Sequence, residues 1–313
     1  MKNISQYIKQ LTSLKRDHKL GGAPHKPILL LSIIDSIDNK LITSNKIYIS
    51  PELVSIFKEN WKKFVITPHS PIFALPFYHL RTEPFWELIA KQGFEQIIQS
   101  KFAMKTFTHL NEAVDYALID IELFELFLNE ESRNILKISI IQKYFPHIKF
   151  SDNNENDIIK KIENIIFDDK IEIQEFKKEN EEEEYFVRGG LFKKLVPKAY
   201  EFRCCISGMK LISLHDISMI DACHIKPIAH KGIDHITNGI ALNPNLHRAF
   251  DRGLITIDND YKVIVSKYFD EDEANPYSLR IFEGKKIQLP FGKNFYPNVE
   301  FLSWHYENIF KSM

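Results

Sequence analysis

Residues 221–258, DACHIKPIAHKGIDHITNGIALNPNLHRAFDRGLITID, place four polar side chains in a distinctive order. His224 comes near the end of a mainly apolar run, and Asn238 follows fourteen residues later at the end of a polar loop. His247 and Asp251 are four residues apart in NPNLHRAFDRG, whose apolar residues are spaced as on one face of a helix. The stretch therefore predicts a loop that ends at Asn238 and, after it, a helix that carries His247 and Asp251.

The predicted helix carries a pair of side chains suited to a metal ion. Residues four apart leave the same helical face about one turn from each other, so His247 and Asp251 can hold one cation. Imidazole with carboxylate accepts several divalent metals; we expect magnesium or manganese, with nickel, cobalt and zinc as alternatives. A neutral imidazole can accept the proton of a water molecule near pH 7, so His224 is the candidate general base. Asn238 can brace the loop with side-chain hydrogen bonds.

In this order and at these spacings, the segment resembles the HNH nuclease family, whose ββα-metal fold puts the first histidine on a strand, the asparagine in a loop and the last histidine on a helix. The tail HRAFDRGLITID is similar to a phrase common in HNH enzymes of bacterial restriction systems. The resemblance implies that His224 is the general base, that Asn238 braces the loop, and that His247 and Asp251 are metal ligands. It implies a DNA endonuclease that needs a divalent metal ion.

Three further positions complete the candidate site. Asp221 resembles an acidic position of other members, either as a metal ligand or as a residue that orients a neighbour, and Arg248 on the predicted helix is a candidate DNA contact. Cys223 stands where many relatives have a metal-binding aspartate or histidine. A buried filler is favoured over a thiolate ligand, which would select softer metals. Because Cys204 and Cys205 are its only other cysteines, the chain lacks paired CxxC motifs, and a four-thiolate zinc site is excluded.

The chain is long enough for two domains, with 313 residues and 44% hydrophobic content. We predict an α+β fold: a mixed helical and β-hairpin DNA-recognition domain over residues 1–150, a connector over 151–185 and a ββα-metal nuclease domain over 186–313. The connector should contain a short helix around Ile158 to Ile166. The acidic run KKENEEEEY, from Lys177 to Tyr185, is interpreted as a solvated linker rather than an acidic partner site.

The first domain should be built around one buried helix, because residues 28–37 are apolar on nearly every side. A Ser50–Pro51 pair predicts the start of another helix. The aromatic and proline-rich segment from His69 to Ile89 favours a β-hairpin. Helical spacing follows from Thr108 to Tyr144, with boundaries at Asp120 and Asn129.

The first domain resembles, over roughly residues 1–150, the sulfur-binding-type domain found ahead of HNH domains in modification-dependent restriction enzymes. The resemblance is carried by GGAPHKPILLLSIIDSI, LPFYHL and KYFP in that order. It implies recognition of phosphorothioated DNA by an apolar pocket with basic or polar side chains around it. Here Leu75 and Pro76 stand where several relatives have a tyrosine and a proline. The candidate DNA contacts are His25, Lys26, His79 and Arg81.

The expected partner is double-stranded DNA, and cutting both strands favours a homodimer. Two alternatives stay open: a restriction enzyme that reads an unmodified sequence or a methylated base, and a non-catalytic DNA-binding protein with a degenerate HNH fold. The formal net charge of −1 decides between none of these. The sequence has no apolar run long enough for a membrane span and no secretory signal, so the expected location is the cytoplasm.

Overall fold

The computed structural model describes residues 4–99, 106–148, 181–212, 218–272 and 275–310, which fall into two compact units. Among the described residues, the first unit takes in those up to 148 together with 181–187, and the second takes in 188–310. Helices and small antiparallel sheets occur together, so the predicted α+β class is confirmed. The helix predicted around Ile158 to Ile166 lies outside the described residues.

The first unit is mainly helical. Its helices are α1 (Ile4–Leu11), α2 (His25–Asp38), α3 (Pro51–Phe64), α4 (Ala74–His79), α5 (Glu95–Gln99), α6 (Phe107–Ala113), α7 (Ile121–Leu128) and α8 (Glu130–Tyr144). Its strands, β1 (Lys46–Ile47), β2 (Trp86–Ala90) and β3 (Val114–Ile119), form an antiparallel sheet in the order β1-β3-β2.

Helix α2 is the core of this unit, as the sequence predicted. Every residue from Lys26 to Ile37 is buried, and α3, α4, α7 and α8 pack around the helix. The predicted helix boundaries are also present. Ser50 accepts a hydrogen bond from Leu53 N at 3.2 Å, Asp120 from Glu122 N at 3.1 Å and Asn129 from Ser132 N at 3.0 Å. Each side chain satisfies an amide that the first helical turn leaves unpaired.

The predicted hairpin between His69 and Ile89 is wrong. The middle of that segment is helix α4 and a following single turn, and only β2 is a strand. Phe73 and Phe77 lie one helical turn apart with ring centroids 5.5 Å from each other, and both are buried. Helix α4 thus puts both rings into the core. The partner of β2 is β3, which lies within the segment predicted to be helical throughout.

The acidic run was predicted to be solvated, and this is wrong for Glu183. Its side chain is 1% exposed, accepts a hydrogen bond from Phe73 N at 2.9 Å and lies 3.7 Å from Lys58 Nζ. Burial raises the pKa of Glu183 to about 7. Residues 181–185 belong to helix α9 (Glu181–Ala199), within which the boundary between the two units falls. The ion pair with Lys58 explains why the Glu183 side chain is buried, since charged side chains are rarely buried without a partner.

The second unit is built on two small antiparallel sheets. Strands β4 (Asp221–His224) and β5 (Gly239–Leu242) form one, and β6 (Ile255–Ile257) and β7 (Val263–Val265) form the other. Helix α10 (Pro244–Asp251) follows β5 directly, and α11 (Val299–His305) continues into a wider turn, Tyr306–Phe310. Among the helices of the described residues, none is long and apolar enough to cross a membrane.

Candidate active site

Strands β4 and β5 and helix α10 form the frame of the site. The strands pair with His224 opposite Gly239, and α10 starts immediately after β5. Asn243 caps this helix by accepting hydrogen bonds from Asn245 N at 3.1 Å and Leu246 N at 3.0 Å. The capping residue and the proline after it set the start of the helix one turn before His247. The predicted order of strand, loop and helix is thus present.

His224, the candidate base, is held at one ring nitrogen and on one ring face. Its Nε2 lies 2.8 Å from Asp234 Oδ1. Its ring stacks on Phe192 of α9, with centroids 3.9 Å apart and planes 5° from parallel. The side chain is 25% exposed, so solvent reaches it. The imidazole is therefore fixed in orientation while remaining accessible.

Asn238 is fully buried and ties the two ends of the β4–β5 loop together. Its Oδ1 accepts from Lys226 N at 2.9 Å, and its Nδ2 donates to Lys226 O and Ile233 O, each at 2.9 Å. Ile225 N also donates to the backbone oxygen of Asn238 at 2.9 Å. The side-chain amide thus uses both donors and its acceptor inside the loop. These bonds fix the chain immediately after His224.

Gly239 allows α9 to approach the sheet closely. A Cβ at this position would lie 2.5 Å from Val196 Cγ2 and 2.9 Å from Phe192 Cε2. Both distances are far shorter than van der Waals contact, so only glycine fits here without movement of the helix. The stack of Phe192 on His224 depends on this approach.

The side chains of His247 and Asp251 come together on the exposed face of α10. His247 Nε2 lies 3.4 Å from Asp251 Oδ2, and its Nδ1 lies 3.3 Å from Asp221 Oδ2 of β4. Cys223, His247 and Asp251 can each offer one ligand atom within 4.8 Å of the others. A nitrogen and a carboxylate oxygen beside open solvent are a suitable donor set for a divalent cation, so the residues present fit a metal site.

Cys223 is the residue of this cluster least suited to bind a hard cation. It is fully buried, and its Sγ lies 3.7 Å from Asp251 Oδ1. Burial, with the Asp251 carboxylate adding to it, raises the pKa of the Cys223 thiol well above its ordinary value. A neutral thiol is a weak metal ligand, since the thiolate is the form that binds.

In the first unit, His25, Lys26 and His79 line one cavity of about 590 Å³. Leu75 and Pro76 form part of its apolar wall. Basic side chains that the sequence analysis did not single out, Lys15 and Arg16, line it as well. Their signal in the sequence was the basic segment SLKRDHK ahead of the two glycines.

Two of the candidate DNA contacts of the first unit are engaged inside the protein. Lys26 Nζ is buried and bonds Glu83 at 2.6 Å and Thr82 at 2.8 Å. Arg81 donates to Ile98 O and covers the ring of Tyr78, with 4.0 Å between its Cζ and the ring centroid.

The remaining candidates, His25 and His79 of the first unit and Arg248 of the second, differ in exposure. Burial lowers the pKa of His25 to about 4, and its Nε2 lies 2.9 Å from Ser70 O. Arg248 of the second unit is exposed on α10. The exposed arginine therefore suits contact with a phosphate better than the half-buried histidines do.

Sequence reasoning missed the two side chains that hold His224. Asp234 is the only acidic residue between His224 and Asn238, and this was an available signal. Nothing in the local sequence around Phe192 indicates that its ring meets His224.

Comparison with known proteins gives a family match and similar solved structures. Residues 204–258 match the HNH endonuclease family model. Among solved structures, the chain is similar to the modification-dependent TagI restriction endonuclease, with 23% identity over 39% of this chain and 40% of that chain and a TM-score of 0.31.

A second solved structure is that of ScoMcrA, a Type IV phosphorothioation-dependent restriction endonuclease, with 11% identity over 78% of this chain and 83% of that chain and a TM-score of 0.36. The alignment with TagI spans less than half of the TagI chain. No curated protein gives a significant match. The family match and the ββα frame identify residues 204–258 as an HNH endonuclease domain.

Proposed function

We propose that this chain is a metal-dependent restriction endonuclease that hydrolyses double-stranded DNA chosen by its N-terminal unit through a phosphorothioate group. The observation that carries the hydrolytic part is the junction of β4 and α10. Asp221 and Cys223 of β4 contact His247 and Asp251 of α10, and the next residue of β4 is His224. A proton acceptor and a cation site thus lie beside each other on the ββα frame.

His247 and Asp251 are the residues that would hold the metal. A neutral imidazole has one N–H and one lone pair. Asp221 lies within hydrogen-bond distance of Nδ1, so it accepts the N–H and leaves the lone pair on Nε2, the side of Asp251. Carboxylates behind a ligating histidine fix its tautomer in this way. A divalent cation bound there would neutralise phosphate charge and stabilise the departing oxygen.

His224 supplies the proton acceptor for hydrolysis. A water molecule next to the imidazole gives up its proton to the ring, its oxygen bonds to phosphorus, and the bond from phosphorus to the 3′ oxygen breaks. Asn238 keeps the loop after His224 in place, and Arg248 is placed for contact with a backbone phosphate. None of these groups reads a base, so the choice of DNA falls to other residues.

The hydrolytic proposal is tested with His224→Ala on a DNA substrate that the wild-type enzyme cuts. We expect cleavage to fall by about 10²-fold to 10⁴-fold while DNA binding is unchanged, because the substitution removes a general base and no backbone contact. EDTA should abolish wild-type cleavage. Asp260→Asn, an exposed residue of the β6–β7 turn, is the control and should cut normally. Wild-type cleavage in EDTA would refute the metal mechanism.

The cavity of the first unit supports selection of a modified phosphate. Sulfur in place of a non-bridging oxygen is larger and less hydrated, so it gains from contact with apolar Leu75 and Pro76. The exposed ammonium of Lys15 and the half-buried guanidinium of Arg16 border the same cavity and can pair with the negative charge of the group. The apolar wall of the cavity and the basic side chains at its rim together suit a phosphorothioate better than an ordinary phosphate.

This specificity is tested with duplexes of one sequence that carry phosphorothioate, methylated bases or neither. We expect the phosphorothioated duplex to be bound and cut preferentially. Leu75→Asp should remove that preference, since it puts a like charge beside the sulfur, while the exposed Ile66→Asp serves as the control. If methylated or plain DNA is cut preferentially, that DNA is the substrate and the proposed phosphorothioate specificity is refuted. The proposal for the hydrolytic site is not affected by that outcome.

A further inference from the structure

Asp234 lies in the β4–β5 loop and faces the candidate base. Its Oδ1 is 2.8 Å from His224 Nε2, and its side chain is 7% exposed. A carboxylate that is largely removed from water needs a hydrogen-bond donor, and His224 provides one. The pair is therefore a built interaction of the site and not a contact between two solvated side chains.

The bond decides which ring nitrogen of His224 carries the proton. An ionised carboxylate can only accept hydrogen bonds, so the nitrogen facing Asp234 must be the N–H. The neutral ring then has its lone pair on Nδ1. Since a general base acts through its lone pair, the proton of the attacking water can be taken only by Nδ1.

Two other contacts keep Asp234 and His224 in this relation. Asn238 Nδ2 donates to Ile233 O at 2.9 Å, which fixes the backbone next to Asp234. Phe192 stacks on the imidazole and prevents rotation of the ring plane. The base is thus oriented by a hydrogen bond, an aromatic face and a braced loop.

We propose that Asp234 is the positioning residue of the nuclease site: it holds His224 as the Nε2–H tautomer and makes Nδ1 the proton acceptor. The inference rests on His224 being the base of the proposed function. In the reaction, the proton of water moves to Nδ1, the hydroxide oxygen bonds to phosphorus, and the 3′ oxygen leaves with the bonding electron pair. Asp234 touches neither DNA nor the reacting atoms and acts through the imidazole alone.

The tautomer itself is measured first, on the full-length protein labelled with ¹⁵N-histidine. Long-range ¹H–¹⁵N spectra recorded over a series of pH values distinguish the two neutral tautomers from each other and from the imidazolium. The signal of His224 is the one that His224→Gln removes from those of the 12 histidines. We expect the Nε2–H form in the wild type and a mixture in Asp234→Asn, because a carboxamide can also donate to Nε2. A wild-type Nδ1–H form would overturn the proposal.

Cleavage kinetics provide the second measurement, with Asp234→Asn and Asp234→Ala compared with the control Asp260→Asn. We expect kcat to fall by about 10²-fold in both Asp234 variants while KM changes little, because the aligned base is lost and DNA contacts are kept. Asp234→Asn is nearly isosteric and guards against misfolding of the alanine variant, and Asp234→Glu should recover part of kcat. Wild-type kcat in Asp234→Asn would overturn the inference.

Two variants distinguish the role of His224 as the base from the role of Asp234 as its positioning residue. If His224→Gln cuts DNA at the wild-type rate, His224 is not the base and the proposed mechanism fails together with the role of Asp234. If His224→Gln is inactive and Asp234→Asn is fully active, only the positioning role fails.

Discussion

Cys223 shows how one residue can occupy a ligand position without the chemistry of a ligand. Its sulfur lies beside Asp251, but burial keeps the thiol protonated. We therefore predict that Cys223→Ala cuts DNA in magnesium at a rate within about threefold of wild type, with about 1 kcal/mol less stability from the lost packing. Cleavage rate and thermal unfolding check both parts.

Absorption spectroscopy also tests whether the Cys223 sulfur binds the metal. With cobalt in place of magnesium, a thiolate ligand would give an intense sulfur-to-metal absorption band, and we expect none from the wild-type protein. A strong band that disappears in Cys223→Ala would show that the sulfur binds the metal after all. Sequence spacing could not decide this point, because the burial of Cys223 results from packing across the β4–β5 sheet.

At the scale of elements, the packing of α9 on β5 supports the position of His224, the proposed base. Gly239→Ala would force a methyl group against Val196 and Phe192 and so push the helix away. We predict a loss of about 1–3 kcal/mol in unfolding free energy and a strong loss of cleavage. The matched control is Gly189→Ala in α9, whose added Cβ would lie 3.9 Å from Asp234 and have room. Equal losses of unfolding free energy and of cleavage in the two variants would contradict the proposed role of the close approach at Gly239.

Helix α11 is joined to α10 by a buried histidine. His305 stacks on Phe250 with centroids 3.7 Å apart, donates from Nε2 to Phe250 O at 3.1 Å and lies 2.9 Å from Thr256 Oγ1 through Nδ1. Burial lowers the pKa of His305 from 6.5 to about 4. The unfolded chain therefore binds a proton between these values while the folded protein does not.

The neutral His305 side chain therefore contributes to the free energy of unfolding in full above pH 6.5, and this contribution is lost as the pH falls toward 4. It amounts to at most about 3 kcal/mol. We predict that the stability difference between wild type and His305→Gln narrows over this range, measured by chemical denaturation at a series of pH values. A constant difference would mean that His305 does not titrate on unfolding.

At the scale of the whole molecule, each chain offers one candidate HNH site, while a double-strand break needs two cuts. We predict that two copies act together on one duplex. Supercoiled plasmid that the wild-type enzyme cuts should be converted directly to linear product, and His224→Ala should bind the duplex with two chains per DNA in analytical ultracentrifugation. Accumulation of nicked circular plasmid, together with one bound chain per duplex, would refute the prediction that two copies act together.

The order of elements from Asp221 to Asp258 was predictable because each signal is local. An apolar run, an asparagine before glycine and an i, i+4 pair each act within a few residues, and they specified the strand, loop and helix. The buried helix α2 and the caps at Ser50, Asp120 and Asn129 were predictable for the same reason. The resemblance to HNH nucleases rested on this local pattern.

The tertiary structure alone decided which groups meet across the chain. Phe192 reaches His224 over 32 positions of sequence, Glu183 is buried against Lys58 and Phe73, and β2 pairs with a strand that local spacing had marked as helix. Such contacts depend on how helices and sheets pack, and the hydrophobic effect that drives packing is non-directional, so a residue's neighbours in sequence do not report them. The sequence thus determined which reactive side chains the site contains, and the packing decided how the His224 imidazole is oriented.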